Sequence, residues 1–305
     1  PGGYPVYLKR WTRMGQTRDG MLESLLLLGE PEAVVAVVNA CGITSEIARR
    51  AWWASQSAEN ARCMLRQKPV AAGEMGKVLA DFLVEFLPFE EEAKDIIDSV
   101  RLVLQPGLIS AETRQKIWQK SKHKNAYYVG FLHSVPNDLP DKPLPHPGWE
   151  QALAKLEGLL AVDNPYATQI CRLLSAEGQS FLATVETVLI KPTNQDVIVE
   201  LFLAIAAYFE SLQMDTRKYE DMNEILQSAD EALAACRGGH GTLGDVLSAM
   251  PELHQQVRAM LVLSNVDEPL VNPIFSRTDA IGSVMRKKLV PVSEPLQEQI
   301  NILRK

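Results

Sequence analysis

Short amphipathic segments follow one another along most of the chain, and they constrain the fold more than any other feature. Glu74–Leu87 is the clearest segment, because its apolar residues recur at helical spacing: Met75, Val78, Leu79, Phe82, Leu83 and Phe86. Thr44 and Ser57 each precede another such segment and can cap it. About eight helices are predicted in residues 1–135, joined by turns of about two to six residues, which is typical of antiparallel neighbours.

This succession of helices predicts an all-α protein. The helix pairs vary between about 25 and 40 residues without a strict repeat. An irregular stack of helical hairpins, similar to a HEAT-type α-solenoid, and an irregular multi-helix bundle both satisfy the pattern. Near the C-terminus, shorter helices are predicted at residues 243–250, 252–263, 277–289 and 294–304.

A proline-rich stretch divides the helical signals in two. Residues 136–148 contain five prolines, which cannot continue a helix. We therefore predict a linker there, between an N-terminal helical domain at 18–135 and a C-terminal one at 149–305. Residues 1–17 are predicted as an extended arm, since Pro5 would confine a strand to a sheet edge.

The net charge, the length of the apolar runs and the spacing of the cysteines each argue against a class of protein. The formal net charge of −7 argues against a general nucleic-acid binder. No apolar run approaches the length of about 20 residues that a membrane-spanning helix needs. Cys41, Cys63, Cys171 and Cys236 are far apart and form no CxxC pair, so we interpret them as reduced core thiols of a cytoplasmic protein.

No motif in the chain specifies a reaction. No two of the five histidines lie four residues apart, and none joins the cysteines in a zinc-binding pattern. The three glutamates at 90–92 fall at a predicted helix start, where the helix dipole favours negative charge. We therefore predict no catalytic, cofactor-binding or metal-binding residue.

Two clusters of basic and aromatic residues are candidate protein-interaction surfaces. Trp52 and Trp53 point about 100° apart on a helix, so core packing for one and surface binding for the other are both open. The second cluster sets cations beside two tyrosines, an arrangement that single-stranded RNA also uses. The candidate residues are Arg49, Arg50, Trp52 and Trp53 in the first cluster, and Arg114, Lys116, Lys120, Lys122, Lys124, Tyr127 and Tyr128 in the second.

Several runs of the first half resemble a known family. They include Gly-Gly-Tyr-Pro-Val-Tyr-Leu-Lys-Arg-Trp-Thr-Arg-Met-Gly (2–15), Leu-Leu-Leu-Leu-Gly-Glu-Pro-Glu-Ala-Val-Val-Ala-Val-Val (25–38), Ala-Arg-Arg-Ala-Trp-Trp-Ala (48–54), Gly-Glu-Met-Gly-Lys-Val-Leu (73–79), Ser-Val-Arg-Leu-Val-Leu-Gln-Pro-Gly-Leu-Ile-Ser (99–110) and Lys-Asn-Ala-Tyr-Tyr-Val-Gly-Phe-Leu (124–132). Over about residues 2–140 the chain is similar to the DsrS family, encoded with the dissimilatory sulfite reductase genes of sulfur-oxidising proteobacteria. The resemblance implies a cytoplasmic protein of sulfur oxidation with no assigned reaction. Because family members extend further at the N-terminus, we expect residues before Pro1.

The sequence thus favours a non-enzymatic helical scaffold or accessory protein of cytoplasmic sulfur oxidation, whose partner is another protein. One alternative is an enzyme or carrier that handles a small ligand or a persulfide through a cysteine between the domains. Another is a nucleic-acid-linked regulator that uses the second cluster.

Overall fold

Helices and turns make up the described part of the chain. The computed structural model describes residues 19–212, 218–236, 241–276 and 281–305. Over these residues it has 18 α-helices and no strand, which confirms the predicted all-α class. The predicted arm at residues 1–17 lies outside the described residues. The helices fall into two compact units, one ending at Lys120 and the other beginning at Ser121.

The first unit is a stack in which each helix packs mainly on its near neighbours in sequence. Its helices are α1 (Asp19–Leu26), α2 (Pro31–Val38), α3 (Ser45–Ala54), α4 (Ala58–Leu65), α5 (Lys68–Ala71), α6 (Glu74–Phe86), α7 (Ala93–Val103) and α8 (Ala111–Lys120), with a 3-10 turn at Leu87–Phe89. Helix α1 contacts α2 and α3, whereas α4 contacts α6 and α7. The hydroxyls of Thr44 and Ser57 accept hydrogen bonds from the backbone N–H groups of Ile47 and Asn60, so both predicted caps are confirmed.

The second unit is closed like a bundle, because its last helix returns to earlier ones. Its helices are α9 (Asn125–Ser134), α10 (Trp149–Leu160), α11 (Pro165–Leu174), α12 (Ala176–Ile190), α13 (Gln195–Tyr208), α14 (Met222–Ala235), α15 (Thr242–Ala249), α16 (His254–Ser264), α17 (Asn272–Phe275) and α18 (Gly282–Arg304), with 3-10 turns at Glu210–Leu212, Pro251–Leu253 and Glu268–Leu270. Helix α18 contacts α12, α14 and α16, and α13 contacts α9. This non-sequential packing is the arrangement of a bundle.

The proline-rich stretch at 136–148 is non-helical, as predicted, but it packs as part of the second unit. The backbone N–H of His146 donates to the carbonyl of Leu174 at 2.9 Å. The Ser180 hydroxyl donates to the carbonyl of Asp141 at 2.5 Å. The boundary between the two units follows Lys120, so it precedes the linker predicted at 136–148. Proline prevents a helix from continuing, but it does not prevent an extended segment from packing against a domain.

The C-terminal region has one long helix where two are predicted. Instead of helices at 277–289 and 294–304, α18 runs from Gly282 to Arg304 through Pro291 and Pro295. Each proline removes a backbone donor from the helix. The buried side chains nevertheless keep helical spacing along its length, at Met285, Leu289, Val292, Leu296, Ile300 and Leu303. Packing of this face outweighs the local cost of the prolines.

Candidate protein-binding surface

Helix α6 has a wider apolar face than the core beneath it covers. Met75, Leu79 and Leu83 are buried at successive turns. Val78, Phe82 and Phe86 form a second row along the helix. This row lies about 60° around the helix from the buried row, because Val78 is three positions after Met75. Val78 is 47% exposed and Phe86 is 37% exposed. This second apolar row therefore faces solvent.

Four aromatic rings, two of them on the exposed side of α6, form a continuous series that begins in the core and ends in solvent. Trp52 is buried and meets Phe82 edge-on, with ring centroids 4.8 Å apart. Phe82 stacks on Phe86 at 5.8 Å, and Phe86 contacts Phe89 at 6.1 Å. Phe89 is 73% exposed. We call these four residues the aromatic row; their mutual contacts hold the exposed rings in defined positions.

The end of the aromatic row is fixed by buried residues on both sides of Phe89. Leu87 is buried, and Glu90 is a buried carboxylate that pairs with Arg62. The Arg62 guanidinium also pairs with Asp95 at 3.0 Å and donates to the Ser99 hydroxyl at 3.3 Å. Moving a buried arginine away from its paired carboxylates would be costly. Arg62 therefore stabilises the turn that exposes Phe89.

Four exposed carboxylates lie beside the aromatic row. Asp81 and Glu85 lie one turn apart on α6, beside the exposed apolar residues, and Glu91 and Glu92 follow Phe89. All four are exposed, and in the described part of the chain none has a hydrogen bond or ion pair through its side chain. Lys77 is the one basic residue between positions 74 and 92. The exposed part of residues 78–92 therefore combines apolar rings with excess negative charge.

The first predicted cluster is split between core and surface. Trp52 is buried in the aromatic row, whereas Trp53 is 86% exposed. Arg49 and Arg50 both donate to Glu46, and Arg50 also pairs with Glu23 at 3.1 Å. Hydrogen bonds from the two arginines lower the pKa of Glu46 to about 2. These cations are thus already neutralised by neighbours on the same surface.

The second predicted cluster does not present its aromatic rings. Tyr127 and Tyr128 are buried, because α9 is apolar on several faces and has every residue from 126 to 132 in the core. Burial also raises the pKa of Tyr128. The stacking rings expected beside the cations are therefore not at the surface.

The cations of the second cluster belong to different units. Lys116 pairs with Glu112 at 2.7 Å on α8. Lys120, also on α8, is exposed, and Arg114 is half-buried. Lys122 and Lys124 are exposed residues of the second unit.

The cysteines differ in accessibility. Cys63 and Cys171 are buried, Cys236 is half-exposed and Cys41 is exposed, so the prediction of a core thiol is wrong for Cys41. Burial raises the pKa of Cys171 to about 11, which keeps it a neutral and poorly nucleophilic thiol.

The described residues show no metal-binding cluster, and a cavity in the second unit is small. They contain no group of three or more His, Cys, Asp and Glu side chains arranged for a metal ion. A cavity of about 230 Å³ lies between the end of α12 and α18, beside Ile190, Arg286 and Val290. Drug-sized ligands generally occupy about 300 to 1,000 Å³. The size of this cavity therefore does not indicate a ligand.

The helical spacing predicts Phe82 and Phe86 on a packed face, and Phe89 is not among the predicted site residues. One feature of the sequence could have indicated the exposed rings. The apolar positions of α6 span two adjacent rows, and this face is wider than a single neighbouring helix can cover. The excess of carboxylates over basic residues in the same segment was a second indication.

No protein-family model matches the chain, and no curated protein or solved structure matches it either. Among the described helices, none combines the length and apolar character needed to cross a membrane.

Proposed function

We propose that this chain is a non-enzymatic accessory protein of cytoplasmic sulfur oxidation that binds another protein through the aromatic row. The observation that carries the binding role is the pair of exposed rings, Phe86 and Phe89, held in place by the core and by the buried Arg62. Aromatic side chains dominate the energetics of protein interfaces, and rigid presentation lowers the entropy lost on binding. The pathway rests on the resemblance to the DsrS family.

The test is affinity capture of the tagged chain from a lysate of sulfur-oxidising cells, with mass spectrometry of the proteins that co-purify. We expect a component of the sulfite reductase or sulfur-relay system to be recovered with the unchanged protein. The double variant Phe86→Ser/Phe89→Ser removes the exposed rings and should lose that component.

The control removes two exposed apolar side chains from the second unit, with Leu144→Ser/Val162→Ser. It should recover the same component as the unchanged protein. Equal recovery by all three proteins would place the contact outside the aromatic row. Recovery of no component of that system would refute the pathway.

A further inference from the structure

We infer that the partner segment that docks on the aromatic row is a basic amphipathic α-helix. Its apolar side would cover Phe82, Phe86 and Phe89, and its Lys or Arg side chains would face the surrounding carboxylates. This inference rests on the proposed function and adds the chemistry of the partner.

The charge of the surface favours a basic partner. Asp81 and Glu85 are like charges one turn apart on α6, which is an unfavourable arrangement in an isolated helix. With Glu91 and Glu92 they remain unpaired within the described part of the chain. Elsewhere on the same unit, exposed carboxylates such as Glu46 and Glu112 pair with local cations. In the described part of the chain, the four carboxylates beside the aromatic row are therefore available to attract cations from a partner.

The spacing of the rings favours a helical partner. The centroid distances along the row are 5.8 Å and 6.1 Å. Side chains three or four positions apart on a helix are about 5 to 6 Å apart. A helix with apolar residues at that spacing can therefore pack its side chains alongside the rings, as in ridges-into-grooves packing. Amphipathic helices bind proteins through such repeating apolar positions.

The test compares two fluorescently labelled model peptides that share one apolar face. One is built of Leu and Lys, the other of Leu and Glu in the same pattern, and the dissociation constant of each for the full chain is measured by fluorescence anisotropy. We expect the Leu/Lys peptide to bind about tenfold or more tightly than the Leu/Glu peptide. Its affinity should fall with added salt, because exposed charges are screened.

Two double variants with the same change in net charge separate local from general attraction. Asp81→Lys/Glu85→Lys should reverse the preference between the peptides. Glu157→Lys/Glu298→Lys, which alters exposed positions of the second unit, should keep it. Phe86→Ser/Phe89→Ser should weaken both peptides.

Each remaining outcome overturns the inference. Equal binding of both peptides that is lost in Phe86→Ser/Phe89→Ser would mean that the row binds without charge selection, and the proposed function would stand. An equal loss of Leu/Lys binding in both charge variants would mean attraction to net charge alone. A concentration-dependent dimer that Phe86→Ser/Phe89→Ser abolishes, measured by light scattering, would identify a second copy as the occupant. Binding of neither peptide would also refute the inference of a basic helical partner. The proposed function is tested separately, by the capture experiment.

Discussion

Each unit of the protein contains a cluster of stacked aromatic rings, and the two clusters have opposite exposure. In the second unit Phe181 stacks on Tyr208 at 3.7 Å, and Tyr208 meets Phe209 edge-on at 5.4 Å, with all three side chains buried. In the first unit the aromatic row runs from the buried Trp52 to the exposed Phe89. Similar ring contacts therefore serve a core in one unit and a surface in the other.

The charges beside the two clusters differ in the same way. Arg172 lies over the Tyr208 ring with its guanidinium carbon 3.6 Å from the centroid, and it also donates to the Tyr208 carbonyl at 2.9 Å. Its Nε donates to the Asn137 side chain at 2.8 Å. These partners are all internal to the unit, whereas the four exposed carboxylates beside the aromatic row have no side-chain partner in the described part of the chain. The charge beside the core cluster is thus satisfied within its unit, whereas the aromatic row has exposed carboxylates beside it in addition to the buried pair of Glu90 and Arg62.

The largest expected effect is on the core cluster. Phe209→Ala removes a fully buried ring and leaves a cavity. Changes of this kind cost about 3 to 5 kcal/mol of unfolding free energy. Urea denaturation followed by circular dichroism gives the value. A cost below about 1 kcal/mol, as expected of a surface residue, would remove the contrast between the two clusters.

Alkaline pH should destabilise the core cluster specifically. Burial raises the pKa of Tyr208 to about 12, with Arg172 opposing and Glu177 adding to the shift. Because the folded pKa lies above the unfolded value of about 10, this contribution to stability is complete below pH 10 and is lost as the pH rises towards 12. The expected slope from Tyr208 is about 1.4 kcal/mol per pH unit in that window.

The matched variant for the pH experiment is Tyr208→Phe. It keeps the ring and removes a buried hydroxyl that has no hydrogen-bond partner among the described residues. Unfolding free energies of both proteins, measured by urea denaturation between about pH 8 and 11, should diverge only above about pH 10. Parallel curves would show that Tyr208 is accessible to solvent in the folded state.

The helices were predictable because their signals are local, whereas the exposure of the aromatic row was not. The capping hydroxyls of Thr44 and Ser57 act within three residues, so their roles can be read from sequence. Whether Phe82 and Phe86 face a core depends on how much of α6 the neighbouring helices cover, which is a property of packing.

Burial of Glu90 also depended on a contact between distant positions. The sequence placed it with Glu91 and Glu92 at a helix start, where the dipole explains negative charge. The structure pairs Glu90 with Arg62 inside the unit and leaves its two neighbours exposed. Three identical side chains in a row carry no local signal that distinguishes the buried one.

An intermediate effect is expected within the aromatic row at Phe82. This half-buried ring lies between Trp52 and Phe86, so Phe82→Ala loses two ring contacts and part of a buried face. We expect a loss of about 1 to 2 kcal/mol of unfolding free energy, measured by urea denaturation. A cost equal to that of Phe209→Ala would mean that the row is structurally part of the core, and the surface interpretation would then apply to Phe89 alone.

The smallest effect on stability, and the largest on binding, is expected at Phe89. Phe89→Ser changes an exposed side chain, so the unfolding free energy should change by about 0.5 kcal/mol or less. Binding of the Leu/Lys peptide should weaken about tenfold or more, since exposed aromatic residues at the centre of an interface carry much of its energy. Both quantities are measured on one preparation, by urea denaturation and fluorescence anisotropy.

Leu144→Ser is the control for Phe89→Ser, because Leu144 is 88% exposed in the second unit. It should alter neither stability nor peptide affinity. If Leu144→Ser weakened the peptide as much as Phe89→Ser, exposure of an apolar side chain would suffice for binding, and the ordered contacts from Trp52 to Phe89 would have no specific role. If Phe89→Ser alone weakened it, rigid support from the core would be what distinguishes a binding residue from an incidental exposed apolar one.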